Sequence, residues 1–388
     1  MLYFNPSPVG GLADYAHQQA DALEQAGVSV EMLATPRYGP AGRCRYSILP
    51  LLADVADNSS RWRRRISWGR TLLNNYRILA RRIREENRAA VLFGAYSEYL
   101  APVWAGTFRG LARAGTTFGA VVHDPVRDYA VGPQWWHRRS IAAAYSFLRE
   151  AFVHEAIQLE TIVPMPDLRT TVIPHGPMSF PAASATREQA RKKLSIPDGA
   201  FVVLSFGHLR DGKNLDLAIE ALAAAPAACL VVAGKEQSSG QKPMGYYQEL
   251  ARKAGVAERC RWLHGHVPGN EVGNLFAASD LALLTYSRNF RSASGVLNTA
   301  VAYRKPCLAS AGDGNLRSVV DRYRLGWFVE PDNSVAVREG LLRAMREPIE
   351  PLWENYELEN SWNRNALLVR DRMFESSVQK NVGCVQKV

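Results

Sequence analysis

No apolar run in the 388-residue sequence reaches the roughly 18 to 20 residues that a bilayer span requires, which excludes an integral helical membrane protein. Cysteine is scarce. Cys44, Cys229, Cys260, Cys307 and Cys384 are odd in number, widely spaced and form no CxxC pair, so neither a disulfide framework nor a zinc site is expected. Met1 to Pro8 lacks the basic, apolar and cleavage segments of an export signal, and the thiols are expected to be reduced in the cytoplasm. Acidic residues are outnumbered, 37 against 47 lysines and arginines, giving a formal charge of +10 and a pI near 9.4. That balance points to anionic partners: nucleic acid, a membrane surface or phosphorylated small molecules.

The charge is concentrated. Between Arg61 and Arg88 stand ten arginines, interleaved with Trp62, Trp68, Leu72, Leu73, Tyr76, Ile78 and Leu79 and opposed only by Glu85 and Glu86. Along the rest of the chain, short apolar runs alternate with helical periodicity, the pattern of parallel sheets with crossover helices. The alternation occurs twice. Strands are expected at Leu2 to Phe4, Val28 to Leu33, Ala90 to Phe93, Phe118 to Val122, Ala151 to Val153 and Thr171 to Ile173. A second series follows at Phe201 to Ser205, Cys229 to Ala233, Cys260 to Leu263, Leu281 to Leu284, Cys307 to Ala309 and Gly326 to Val329. The expected division is an N-terminal domain over 1–178, a linker over 179–198, a C-terminal domain over 199–350 and a helical tail over 351–388 that packs back on the first domain. Two Rossmann-like doubly wound α/β domains facing across a cleft are the simplest architecture.

Ligands of such sheets sit beyond the carboxyl ends of the strands, so the loops there carry the candidates. Gly10 and Gly11 open the first helix and let backbone amides approach an anion. Gly207, Arg210 and Lys213 follow a strand and precede a helix; a guanidinium fork and a compact ammonium three residues apart suit a diphosphate. Ser294 and Gly295 start another helix, whose unpaired amides form a phosphate seat or an ordinary serine cap. His123, beside Asp124, can bond a substrate hydroxyl or move a proton, or be structural. His264 and His266 have HxH spacing but no suitably placed third ligand, so no metal is expected.

The segments Val172–Gly176, Phe206–Asn214, Val231–Lys235, Leu263–Pro268, Phe276–Leu281, Lys305–Ser310 and Gly326–Pro331, in this order and spacing, resemble the family 4 glycosyltransferases of the GT-B fold, once called group 1 glycosyl transferases. The resemblance implies a retaining, metal-independent enzyme without a cofactor, which takes a sugar from a nucleotide diphosphate donor held by the second domain to an acceptor held by the first. It implies that Arg210 and Lys213 grip the diphosphate beside Gly207 and that amides at Ser294 and Gly295 cap it. Gly265, His266 and Val267 would border the nucleobase, Gly10 and Gly11 would lie over the phosphates, and His123 would face the reacting sugar. The family's two glutamates, registered on Lys305 and Pro306, are replaced by Arg291 and Thr299, the second of which would fall at the ribose. His208 stands where many members carry arginine, with Arg210 as its substitute.

The arginine segment, together with Trp135, Trp136, Arg138 and Arg139, is expected to place the protein peripherally on the anionic inner face of the membrane, with a glycan or lipid-linked acceptor for cell-surface polysaccharide or glycolipid. A soluble enzyme with an arginine-rich helix face is the other reading of the same residues. A catalytically inactive relative and a basic nucleic-acid-binding protein are the alternatives for the whole chain; no nucleic-acid motif accompanies the charge, and nucleic acid is not expected as a partner.

Overall fold

Strands covered by helices on both faces must be apolar throughout, and the short apolar runs of this chain fold as such strands. The computed structural model describes residues 1–40, 44–55, 61–125, 130, 132–178, 180–238 and 240–382. The chain divides into two units, Met1–His175 with the C-terminal stretch from Asn360, and Gly176–Glu359.

The first unit runs β1 (Leu2–Phe4), α1 (Gly11–Gln25), β2 (Glu31–Leu33), β3 (Ser47–Leu49), α2 (Arg61–Glu85), β4 (Ala90–Phe93), α3 (Ala101–Arg113), β5 (Thr117–Val121), α4 (Gln134–Tyr145), β6 (Glu150–Val153) and β7 (Arg169–Val172). Its sheet has the order β3-β2-β1-β4-β5-β6-β7, parallel throughout. The second unit runs α5 (Arg187–Lys193), β8 (Phe201–Phe206), α6 (Leu215–Ala223), β9 (Ala228–Gly234), α7 (Met244–Lys253), β10 (Cys260–His264), α8 (Gly269–Ala278) and β11 (Leu281–Thr285). It continues with α9 (Gly295–Ala302), β12 (Cys307–Ser310), α10 (Asn315–Arg322), β13 (Gly326–Phe328), α11 (Ser334–Arg346) and α12 (Trp353–Glu359). Its sheet, also parallel, has the order β10-β9-β8-β11-β12-β13. Every residue of β9 and of β11 is buried, as central strands of a doubly wound sheet must be. No described helix is long and apolar enough to cross a membrane.

The structure departs from the sequence reading in several places, β7 among them, which begins at Arg169 and ends at Val172. The stretch 179–198 is no linker: Thr186 closes a capping box with Gln189, α5 follows, and Ala190 and Ile196 are buried in the core of the second unit. Pro197 opens a turn within that unit, its carbonyl accepting from Ala200 N (3.2 Å). β3 went unexpected because its three residues form an edge strand that is only partly buried, leaving no apolar signal. The expected strand from Val28 is shorter, beginning at Glu31.

After α12, whose Tyr356 packs in the second core, the chain returns to the first unit as α13 (Trp362–Val382). Fully buried Asn365 fixes this return. Its amide donates to the Tyr15 hydroxyl (3.1 Å) and the Pro174 carbonyl (2.7 Å), while its oxygen accepts from Gln19 (2.8 Å). Ala366, Val369 and Met373 bury beside it in one apolar cluster with α1 and β2. Met373 occupies the space that any side chain on Gly119 of β5 would need, which accounts for glycine inside that strand.

Candidate functional site

In the second unit the candidate residues gather beyond the ends of β8, β9, β10 and β11. Gly207 adopts φ +87°, a left-handed conformation, and its amide donates to Ala233. A Cβ on Gly207 would stand 3.7 Å from both Lys213 Nζ and Val296 Cγ2. The ammonium and the first turn of α9 therefore flank the same bare backbone. Gly234 is held to glycine from the other side, because a side chain there would run into the Gly207 carbonyl.

Lys213 Nζ donates to the Phe206 carbonyl at 2.8 Å. Removal from water, and secondly the charge of Arg210, push its pKa down to about 7. Arg210 itself is exposed and makes no ion pair with a described residue. The turn that carries both cations is fixed by its carboxylate and carbonyl contacts: Thr285 Oγ1 donates to the Lys213 carbonyl (3.0 Å), and Ser287 N to that of Gly212 (2.8 Å). Asp332 binds the two cationic loops together, accepting from Asn214 Nδ2 (2.9 Å) and from Arg288 N and Nε (3.0 and 3.2 Å).

Ser294 is the N-cap of α9. Its hydroxyl accepts from Leu297 N (3.1 Å) and bonds the Tyr286 hydroxyl (2.8 Å), so the side chain is committed to the helix. What the helix start offers a ligand is backbone: Gly295 is exposed, nothing stands within 4 Å of where its Cβ would be, and the first-turn amides have no helical acceptor. Thr299 does not line this site. It is buried at 2% exposure, and its hydroxyl donates to the Gly295 carbonyl (3.0 Å). Arg291 is exposed on the loop before α9.

Gly265, with φ +134°, is open, His266 is exposed and Val267 is partly buried. Partial removal from water, and then the neighbouring Arg210, Lys213, Lys235 and His266, lower the His208 pKa, which places His266 near this group. His264 bonds Glu236 at 2.8 Å, and that contact leads the effects that hold the Glu236 carboxyl down at about 2. Among the described residues no group of His, Cys, Asp and Glu has metal-holding geometry.

His123, Gly10 and Gly11 lie in the first unit. Gly10, at φ +90°, caps α1 without a side chain, and no atom stands near where a Cβ on Gly10 or Gly11 would project. Asp14 in the next turn has its carboxyl pushed up to about 6 by burial. His123 Nε2 lies 3.0 Å from the Gly94 carbonyl. A carbonyl only accepts, so Nε2 carries the proton and Nδ1 presents a lone pair. The ring packs edge-on against Tyr15 (4.7 Å), which also touches His154, His175 and Trp362. Burial holds His123 and, more strongly, His154 below the usual histidine pKa. His154 bonds Ile173 O through Nδ1 (3.2 Å), leaving Nε2 buried without a partner.

Sequence reasoning missed Asp332, Tyr286, Asp14 and the rings around His123. Of these only His175 belongs to a segment the sequence singled out; the surroundings of the others are set by packing, as where Asp332 reaches Asn214 across 118 residues.

The Lys213 environment predicts a pH effect. A diphosphate arriving at this ammonium would restore its pKa, so binding takes up a proton above pH 7. The affinity of a nucleoside diphosphate bound at this ammonium should fall by up to about tenfold per unit between pH 7 and 9. In the empty protein the native state binds fewer protons than the unfolded chain over the window from about 7 to the ordinary lysine value of 10.5, so this group's contribution to stability rises with pH there and is lost below 7. Calorimetry in buffers of different ionisation enthalpy measures the uptake; none at pH 8 would contradict it.

Residues 186–368 match the family described as glycosyl transferases group 1. The D-inositol 3-phosphate glycosyltransferase of Mycobacterium marinum is 31% identical over 162 residues, 41% of this chain and 34% of that protein, so the chain spans about a third of this relative's length. Among solved structures, sucrose-phosphate synthase from Thermosynechococcus elongatus superposes with a TM-score of 0.71 at 15% identity, covering 98% of this chain and 99% of its own. Anabaena HepE in complex with UDP and glucose gives 0.68 at 14% identity, covering 97% and 99%. The two Rossmann-like units form the GT-B fold.

Proposed function

We propose that this chain, which carries a group 1 glycosyl transferase domain over residues 186–368, is a retaining, metal-independent hexosyltransferase that uses a nucleotide diphosphate sugar. The observation that carries the reading is the bare Gly207 backbone between the Lys213 ammonium and the first turn of α9, with Arg210 beside it. In the transfer, the bond from the anomeric carbon to the β-phosphate oxygen breaks and its electron pair leaves with the diphosphate. The acceptor hydroxyl bonds the same carbon on the same face and gives its proton to the departing phosphate. Fixed cations and helix amides stabilise the growing negative charge. That HepE was solved with UDP and glucose supports a nucleotide sugar as donor here.

The acceptor in this reading is a glycan or lipid-linked hydroxyl held by the first unit, for cell-surface polysaccharide or glycolipid, with the protein peripheral at the inner membrane face. Thermal melts against UDP-, GDP-, ADP- and TDP-sugars test the donor half. One nucleobase series at about a hundred times its Kd should raise Tm by roughly 5 to 10 °C; no shift with any would overturn the reading. The second reading, an inactive relative, rests on Arg291 and Thr299 in place of acids and predicts binding without donor turnover.

A further inference from the structure

The arginines of α2 fall into two groups that differ in what faces them. In the second half, Arg81 pairs with Glu85 at 2.7 Å, Arg82 with Glu86, and Arg88 with Glu86 and Glu31. In the first half, Arg63, Arg65 and Arg70 are exposed and make no ion pair with a described residue. A helix of 25 residues is about 37 Å long, so its two ends belong to different surfaces. α2 leads directly into β4, which is parallel to its neighbours, and therefore runs against the strands. Its first half lies at the end where the strands stop. Trp68 packs edge-on against Tyr99 (5.0 Å), and Gly69 faces Leu100, both just beyond β4.

The same end carries unusual apolar exposure. Leu51 and Val55 are exposed in the loop after β3, which Asn75 of α2 holds through Ala53 N (2.8 Å) and O (3.0 Å). Ile66 is 52% exposed, and Trp135, in the first turn of α4, 65%, with exposed Arg138 and Arg139 following it. The acids close to these residues in sequence are Asp54, Asp57, Glu98, Asp124 and Asp128, fewer than the arginines of the same stretches. Exposed guanidinium groups interleaved with aliphatic and indole side chains fit one environment, the headgroup layer of an anionic bilayer, where the cations meet lipid phosphates and the apolar groups leave water.

We infer that this end of the first unit, at Leu51, Val55, Arg63, Arg65, Ile66, Trp68, Arg70 and Trp135, docks on an anionic bilayer. His123 follows β5 at the same end. Resting on the glycosyl-transfer reading above, this deepens it: the acceptor is presented at the membrane surface, with its hydroxyl at the headgroup level.

The full chain is tested by co-flotation with vesicles of equal parts phosphatidylglycerol and phosphatidylcholine, against phosphatidylcholine alone. Wild type should bind the anionic vesicles and be released by high salt. Arg63→Gln, Arg65→Gln and Arg70→Gln together should weaken binding about a hundredfold, as a change in the vesicle concentration at half-binding. Ile66→Ser with Trp68→Ser should weaken it further, while Arg77→Gln, Arg81→Gln and Arg84→Gln at the far end should leave it within a few fold. Equal losses in both arginine triples, no binding to anionic vesicles at low salt, or binding to duplex DNA in place of vesicles would overturn the inference. Nucleotide-dependent melting of each variant keeps the two readings apart. Wild type that binds nucleotide but no vesicle loses only the docking surface; wild type that binds vesicles but no nucleotide loses only glycosyl transfer.

Discussion

Replacing Arg210 and Lys213 together with alanine is expected to lower kcat/KM about a thousandfold and to abolish stabilisation by nucleotide. Each residue would make charge-assisted contacts worth roughly 1.5 to 3 kcal/mol to the departing diphosphate, and in the proposed reaction the pair would act where its negative charge grows. The fold should not suffer. Arg210 is exposed with no described ion pair, and Lys213 gives up only its bond to the Phe206 carbonyl. Because the native state already resists a proton on Lys213, its loss should leave Tm of the empty protein unchanged or slightly raised near neutral pH. The single change Arg210→Lys separates charge from shape: it keeps the cation and loses the fork, and should recover only part of the rate. Steady-state kinetics with melts of the same samples decide. Unimpaired turnover in the double variant would remove these cations from the reaction.

His123→Ala is the second large effect, an expected loss of about a hundredfold in kcat with nucleotide-dependent melting intact, since the residue lies outside the unit proposed to bind nucleotide. The geometry says which role is lost. With Nε2 tied to Gly94, the free nitrogen is an acceptor, suited to a hydroxyl that donates to it. The residue's pKa is lowered by burial, so the neutral ring persists into mildly acidic solution and kcat should stay flat through the ordinary histidine range, falling only below it. His123→Gln, whose amide can still donate to Gly94, should retain more activity than His123→Ala. A rise in KM for nucleotide sugar with kcat unchanged would contradict this placement.

The parallel alternation was legible because strands buried on both faces leave apolar runs that no solvent-facing strand would have; β9 and β11 are fully buried and fell where the runs lie. β3 left no such trace, being half exposed, and the proline-bearing stretch before β8 looked like a connection although Ala190 and Ile196 anchor it in a core. At the site, glycines and cations next to strand ends were visible from local order, as Gly207, Arg210 and Lys213 are. The commitments of the surrounding groups were not. That the Ser294 hydroxyl is absorbed in capping, that Thr299 turns inward, and that Asp332 braces two loops from 118 residues beyond Asn214 are facts of packing that neighbours in sequence do not announce.

The return of α13 to the first unit has a consequence for biosynthesis. The second unit is an insertion, closed by chain crossings after His175 and before Asn360. Chains emerge from the ribosome from the amino end, and domains usually fold in that order. Here the unit that begins first is completed last. Until Asn365, Ala366, Val369 and Met373 have been translated, Tyr15 and Gln19 lack their buried amide partner and the groove over Gly119 stands open to water. A stalled or clipped chain ending before residue 360 should therefore present a finished second unit attached to an unfinished first one, a ready substrate for chaperones and proteases.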